Sequence, residues 1–250
     1  MTMNNSTTRF SDRVEDYVKY RPTYPDELIG LLKDELKLDL TMVVADVGSG
    51  TGISSIPFLE NGNLVYGVEP NREMRNAGEQ ILKKYTTFIS VAGTAEETTL
   101  KDKSIDIIFC GQAFHWFDKT QSKKEFGRIL KNNGHLIFVW NSRSLKSEFQ
   151  VEYEKALFEN IEEYKFVNHR LINEDEIKEF FEPKILSVFK IDNKQVFNLE
   201  ELIGRLKSSS YCPKSGEAFD NLMRQIESIF NKYKSNNTIE FDYETQIFCC

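Results

Sequence analysis

Ten residues, Val43-Val44-Ala45-Asp46-Val47-Gly48-Ser49-Gly50-Thr51-Gly52, constrain this chain more than any others. A largely β-branched apolar run meets an acid and then breaks into glycines at alternate positions. Helix-compatible sequence follows directly. Near-continuous apolar runs mark parallel strands buried on both faces. Glycines let the backbone turn sharply and admit a ligand at close range. A strand, a glycine turn and a helix N-terminus in succession form a corner at which nucleotides bind in doubly wound α/β sheets.

Spacing narrows the nucleotide. A dinucleotide fingerprint needs its third glycine one residue later, where Ile53 stands, and a P-loop needs a Gly-Lys-Ser/Thr that does not follow. Asp46 beside the turn disfavours a pyrophosphate and suits a ligand with a cationic end. A second apolar run, Leu64-Val65-Tyr66-Gly67-Val68-Glu69, also ends in an acid. An acid about 20 residues past the glycine turn typically takes the ribose hydroxyls of an adenosine. Either acid alone passes for a solvated strand-end carboxylate. The pair at this spacing favours a ligand.

Strand and helix patterns then alternate, as in a doubly wound sheet. The expected strands are 42–47, 64–69, 87–91, 105–110 and 135–141. Pro25 suits a first helical position, with Leu28, Ile29, Leu31, Leu32 and Leu36 at helical spacing behind it. Residues 71–84 read as a helix, and Asp118 with Gln121 reads as a cap ahead of Phe126, Ile129 and Leu130. Pro57 is expected to shorten or bend the helix after the glycine turn. Beyond Asn141 the pattern predicts a long helix over 147–164 and one or two strands over 184–197, turning near Asp192-Asn193. A strongly periodic helix over 217–233 and a final strand over 238–249 follow.

These segments resemble those of the class I S-adenosylmethionine-dependent methyltransferases of the small-molecule type. The resemblance is carried by Ala45 to Gly52, by Gly67-Val68-Glu69-Pro70, by Gly93-Thr94-Ala95-Glu96 and by Gln112-Ala113-Phe114-His115-Trp116-Phe117. Tyr17-Val18-Lys19-Tyr20-Arg21-Pro22-Thr23-Tyr24-Pro25 is similar to the cap of the subgroup that includes trans-aconitate methyltransferase-like proteins. The resemblance implies a Rossmann-like α/β fold with seven strands in the order 3-2-1-4-5-7-6. The last strand would be antiparallel, with helices on both faces and a small helical lid. One domain over 1–250 is expected: an N-terminal cap (1–24), a cofactor core (25–141), lid and acceptor-side elements (142–237) and the final strand (238–250).

Site roles follow from the same resemblance. Gly48, Ser49, Gly50, Thr51 and Gly52 would form the cradle for S-adenosylmethionine. Asp46 would lie near the amino-acid portion of that cofactor and Glu69 would hold the ribose diol. Met74 would pack on the adenine, although an ordinary core methionine fits its place as well. Thr94, Ala95 and Glu96 would read the adenine, and Gln112 would face the methionine moiety. Tyr20 and Arg21 complete the expected cofactor set, Arg21 because a guanidinium suits a carboxylate. Phe10, Tyr17, Tyr24, Trp116, Asn141, Arg143, Arg205 and Tyr211 are the expected acceptor-side residues. His115 is the candidate general base, since imidazole titrates near neutral pH. The same residue among aromatics also serves packing, and a carboxylate acceptor needs no base.

Composition excludes other classes. A net charge of −7 argues against a nucleic-acid face, which needs clustered Lys and Arg. No run of about 18 apolar residues suggests a membrane span, and the N-terminus lacks an apolar signal region. Cys110, Cys212, Cys249 and Cys250 form no C-x-x-C pair and the three histidines are scattered, so no metal site is expected. The reading is a cytoplasmic enzyme that methylates a small organic acceptor, with carboxylate or hydroxyl oxygen favoured and monomer or dimer left open. A non-catalytic cofactor-binding protein of the same fold is the alternative. A nicotinamide-dependent oxidoreductase is disfavoured by Ile53 and Asp46.

Overall fold

The computed structural model describes residues 18–165, 173–209 and 211–250. Phe10 and Tyr17 of the expected acceptor set lie outside the described residues. Seven strands form one sheet in the order β3-β2-β1-β4-β5-β7-β6, as expected. They are β1 (Val43–Val47), β2 (Leu64–Val68), β3 (Phe88–Val91), β4 (Ile105–Gly111), β5 (Leu130–Arg143), β6 (Ser187–Phe197) and β7 (Ile239–Cys249). The first five run parallel, and β7 is antiparallel to both β5 and β6.

Among the described residues, the helices that frame the sheet are α1 (Glu27–Leu36), α2 (Ile56–Asn61), α3 (Arg72–Leu82), α4 (Lys119–Ile129), α5 (Glu148–Asn160), α6 (Glu174–Phe181), α7 (Leu199–Lys207) and α8 (Glu217–Tyr233). Alternation along each strand divides the core, because neighbouring residues point to opposite faces. Ile107, Phe109, Ile137, Val139 and Ile247 pack with Leu28 and Leu32 of α1 and Phe58 of α2. Ile108, Cys110, Phe138, Trp140 and Phe248 pack with Phe126 of α4 and Phe180 of α6. A third apolar cluster lies among α5, α7 and α8 and the β6–β7 ends, including Tyr153, Leu206, Ile226, Phe230 and Phe241.

Several expected elements differ in extent. Pro57 does not bend a helix; it stands in the first turn of α2, where a missing N–H breaks no helical bond. Residues after the glycine turn instead make further turns before α2 begins at Ile56. The 147–164 helix stops at Asn160, because buried Ile161 takes an extended conformation (φ −121°, ψ 102°). A 3-10 turn over Glu162–Lys165 follows. No turn occurs at Asp192-Asn193: β6 pairs with β7 without a break from Ser187↔Cys249 to Phe197↔Ile239. The helices α6 and α7 have no counterpart in the sequence reading.

Candidate functional site

The site sits at the carboxyl ends of β1 and β4, where the chain reverses its winding order. Such crevices bind ligands in open α/β sheets. Gly48, Gly50 and Gly52 all take left-handed φ angles, 74°, 57° and 82°, which explains their alternation. Protein fills much of the space their missing side chains leave. A Cβ at Gly48 would lie 2.6 Å from Cβ of Ala113, and one at Gly50 3.3 Å from Cε of Met74. A Cβ at Gly52 would overlap Leu82 of α3. The turn is therefore locked to the loop after β4 and to α3.

Two buried carboxylates flank this turn. Asp46 is 0% exposed and accepts the hydroxyls of Ser54 and Ser55 on Oδ2, both at 2.6 Å. Its Oδ1 is buried with no hydrogen-bond partner, as is the hydroxyl of Thr51. Burial pushes the Asp46 carboxyl up to about 6, against the pull of the two serine hydroxyls. Glu69 is 8% exposed and accepts the N–H of Gly50 at 2.9 Å and the N–H of Asn71 at 2.8 Å. Burial raises its carboxyl too, while those backbone donors hold it back. Two of the four or so acceptor directions of an ionised carboxylate stay available at Glu69. Ser54 and Ser55 escaped the sequence reading; the only signal was two serines directly after the glycine turn.

Seven of the expected site residues border one small cavity. Arg21, Tyr24, Gly48, Ser49, Thr51, Gln112 and Asn141 line it together with Pro22, Ile53, Ser54 and Gly111, around a volume of about 40 Å³. Gln112 adopts φ 59°, uncommon for a residue with a side chain, which marks local strain. Its N–H bonds to Val139 O at 2.9 Å and its side-chain amide donates to Asn141 O at 3.1 Å. A Cβ at Gly111 would overlap the Tyr24 hydroxyl, so a side chain there would displace that ring. Arg21 donates to Ser208 O at 3.1 Å. A wider groove of about 400 Å³ lies beyond Tyr24 and Ile53, but its lining includes none of the three glycines.

Around the crevice, Met74 is buried at the start of α3 against Gly50. Thr94 Oγ1 accepts the N–H groups of Glu96 and Glu97 at 3.2 and 3.1 Å, and Ala95 is buried beside them. The Glu96 carboxylate accepts the N–H of Asp118 at 2.8 Å, joining this loop to the loop after β4. The 3-10 turn Phe114–Trp116 buries Phe114 and leaves His115 exposed, with the His115 and Trp116 ring centroids 4.7 Å apart. Lys119 closes that turn by donating to Phe114 O at 2.8 Å and Phe117 O at 3.1 Å.

The expected acceptor-side cations form a buried network of their own. Arg143 donates to the Tyr211 hydroxyl at 2.9 Å and to the Tyr164 hydroxyl, and Tyr164 donates to Glu154. Arg143 and Glu154 lie 3.4 Å apart as an ion pair. Arg205, 5% exposed, donates to the Tyr243 hydroxyl at 3.2 Å and to Ser209 Oγ at 3.0 Å. Burial alone would raise the Tyr211 hydroxyl, yet the Arg143 and Arg205 guanidiniums beside it bring it below the usual tyrosine value. Tyr164 and Glu154 were not anticipated, since nothing in local spacing ties them to Arg143.

A family model described as a methyltransferase domain matches residues 45–138. An uncharacterised methyltransferase-like protein of Schizosaccharomyces pombe is 35% identical over 140 residues, 54% of this chain and 52% of that protein. An uncharacterised methyltransferase of Mycobacterium bovis is 36% identical over 134 residues, 54% of this chain and 52% of that one. The chain thus spans about half the length of these curated relatives. A Dictyostelium discoideum protein named as a methyltransferase matches more widely, 29% identical over 247 residues, 92% of this chain and 89% of its own. Among solved structures, a candidate type II methyltransferase of Anaeromyxobacter dehalogenans shares the fold, with TM-score 0.69 at 15% identity over 92% of this chain and 97% of that one. The matched segment, residues 45–138, carries the glycine turn, both carboxylates and the fourth strand, so the part of the chain that is similar to a methyltransferase domain is the part that builds the crevice.

Proposed function

We propose that this protein transfers a methyl group from S-adenosylmethionine to a small organic acceptor, with a carboxylate or hydroxyl oxygen as the receiving atom. One observation carries the reading: two buried carboxylates, Asp46 and Glu69, flank a glycine turn. A pyrophosphate would be repelled there, whereas a sulfonium and an ammonium would be attracted. The buried Oδ1 of Asp46 and hydroxyl of Thr51, both without partners, fit a site completed by a polar ligand.

In this reading Glu69 holds the ribose diol through its remaining lone pairs, and Gly50 fixes the carboxylate from behind. Asp46 faces the amino-acid end from beneath the turn. Its complete burial makes it a source of negative potential rather than a surface contact. Arg21 and Gln112 border the methionine end, and Met74, Ala95 and Glu96 the adenine end. The bound cofactor supplies an electrophilic methyl group. The chain's own work is to orient the acceptor in line, because positioning at near-attack distance accounts for much of the rate in such displacements. His115 and Trp116 stand on the loop after β4 as the acceptor-side residues, His115 as the base where the acceptor is a hydroxyl. Arg143, Arg205, Asn141, Tyr24 and Tyr211 position that side. No helix among the described residues is long and apolar enough to cross a membrane.

Incubation with methyl-labelled S-adenosylmethionine and a library of small carboxylates and alcohols tests the reading. Label transferred to an acceptor supports it. Binding of S-adenosylhomocysteine without transfer to any acceptor favours a non-catalytic protein, and binding of NAD in its place overturns it.

A further inference from the structure

The crevice is covered by a short N-terminal strap, residues 18–25, of which Arg21, Pro22 and Tyr24 form one wall. That cavity, about 40 Å³, borders the glycine turn at Gly48 and Ser49. The strap walls this side of the crevice, and what holds the strap sets how readily this side opens.

Apart from Asn141, the residues that hold it border neither the glycine turn nor the cavity. Asn193, on the edge strand β6, donates its side-chain amide to Thr23 O at 2.8 Å. Two residues on, Gln195 reaches Arg21 O at 3.5 Å from the same face of the strand. Asn141 adds a second, longer bond to Thr23 O at 3.2 Å, and its Oδ1 accepts from Thr245 at 2.5 Å and Asn193 at 3.4 Å. On α7, Gly204 leaves its side-chain space to the Tyr20 ring, which a Cβ would overlap. The strap thus spans from the donor crevice to acceptor-side elements.

We infer that Asn193 and Gly204 are positioning residues that latch this strap over the donor crevice and so set how long the donor is retained. The inference rests on the reading of the crevice as the donor site. It assigns no chemistry to either residue. A glycine in a helix interior is inferior to alanine as a helix former, so Gly204 carries a local cost. The space it gives Tyr20 is the physical return. Asn193 is irreplaceable by its isostere for a different reason: an ionised aspartate presents only acceptors to the Thr23 carbonyl.

Two variants of the full chain test this, Asn193→Asp and Gly204→Ala. Hydrogen exchange at the strap amides is measured without ligand, and dissociation of S-adenosylhomocysteine is measured by rapid competition. Both variants should exchange faster in the strap and release the ligand about 3- to 10-fold faster, the factor that one net hydrogen bond commands. The Gly204→Ala melting temperature is measured alongside, since alanine favours the helix while Tyr20 loses its seat. A purely structural role would move melting and leave dissociation alone. Wild-type rates for strap exchange and release in both variants would overturn the latch. If the unaltered protein binds no S-adenosylhomocysteine, the donor-site reading fails, while the exchange data still judge the latch.

Discussion

The Glu69 carboxylate accepts the Gly50 N–H at 2.9 Å, tying the end of β2 to the glycine turn after β1. The bond fixes both the turn and the carboxylate, so one side chain organises two parts of the cradle. Glu69→Ala should weaken S-adenosylhomocysteine binding by about 1.5–3 kcal/mol, the scale of hydrogen bonds to a charged group. Equilibrium dialysis against the wild type measures this. Equal affinity would remove Glu69 from the ribose.

Asp46 gives two pH dependences of opposite sign. Its carboxyl is raised to about 6 by burial, against an ordinary value near 4 in the unfolded chain. As pH falls from about 6 to 4 the folded chain takes up the proton first, so this group's contribution to stability rises. Over the same range the crevice loses negative charge, and affinity for the cationic S-adenosylmethionine should fall. Asp46→Asn should flatten both trends, apart from the share owed to Glu69, whose carboxyl is also raised. Denaturation midpoints and donor titrations across that range measure the two. Parallel movement of stability and affinity would contradict the assignment.

Gly48 should not tolerate a side chain. Its φ of 74° and the 2.6 Å approach to Ala113 Cβ each oppose one. Gly48→Ala should cost roughly 1–3 kcal/mol, the scale of a residue held in a disfavoured backbone region. Urea denaturation measures it, and a neutral substitution would mean that the turn relaxes freely.

Arg21→Ala should raise the dissociation constant for S-adenosylhomocysteine, since the Arg21 side chain both lines the crevice and bonds to Ser208 O. A loss of stability without a loss of affinity would make Arg21 a packing residue only.

His115→Ala should slow transfer to a hydroxyl acceptor far more than transfer to a carboxylate, because only the hydroxyl must lose a proton. Turnover against one acceptor of each kind measures the difference. Full activity on both would dismiss the base.

Most strands were readable because each carries a clear physical signal, whereas their order came from the family resemblance. The runs of β1, β2 and β4 are apolar on both parities, and the glycines after β1 require left-handed φ. Asp46 and Glu69 were found for the same reason, as acids at strand ends beside that turn. What sequence could not supply was long-range pairing. Arg143 finds Tyr164, Tyr211 and Glu154 only once α5, the 3-10 turn after it and the segment after α7 fold beside the end of β5, and no local spacing links them. Asn193 reads as a turn residue beside Asp192, yet full pairing of β6 with β7 keeps it in a strand and aims it at Thr23. Pro57 reads as a helix breaker because its place in the first turn of α2 depends on the turns that seat Ser54 and Ser55 against Asp46.

Titration calorimetry of the folded protein with S-adenosylhomocysteine, and separately with NAD, is the most direct test of the donor crevice. Saturable heat with the first compound, reduced in Glu69→Ala, and none with the second is the expected result. No heat with S-adenosylhomocysteine from protein shown to be folded would contradict it.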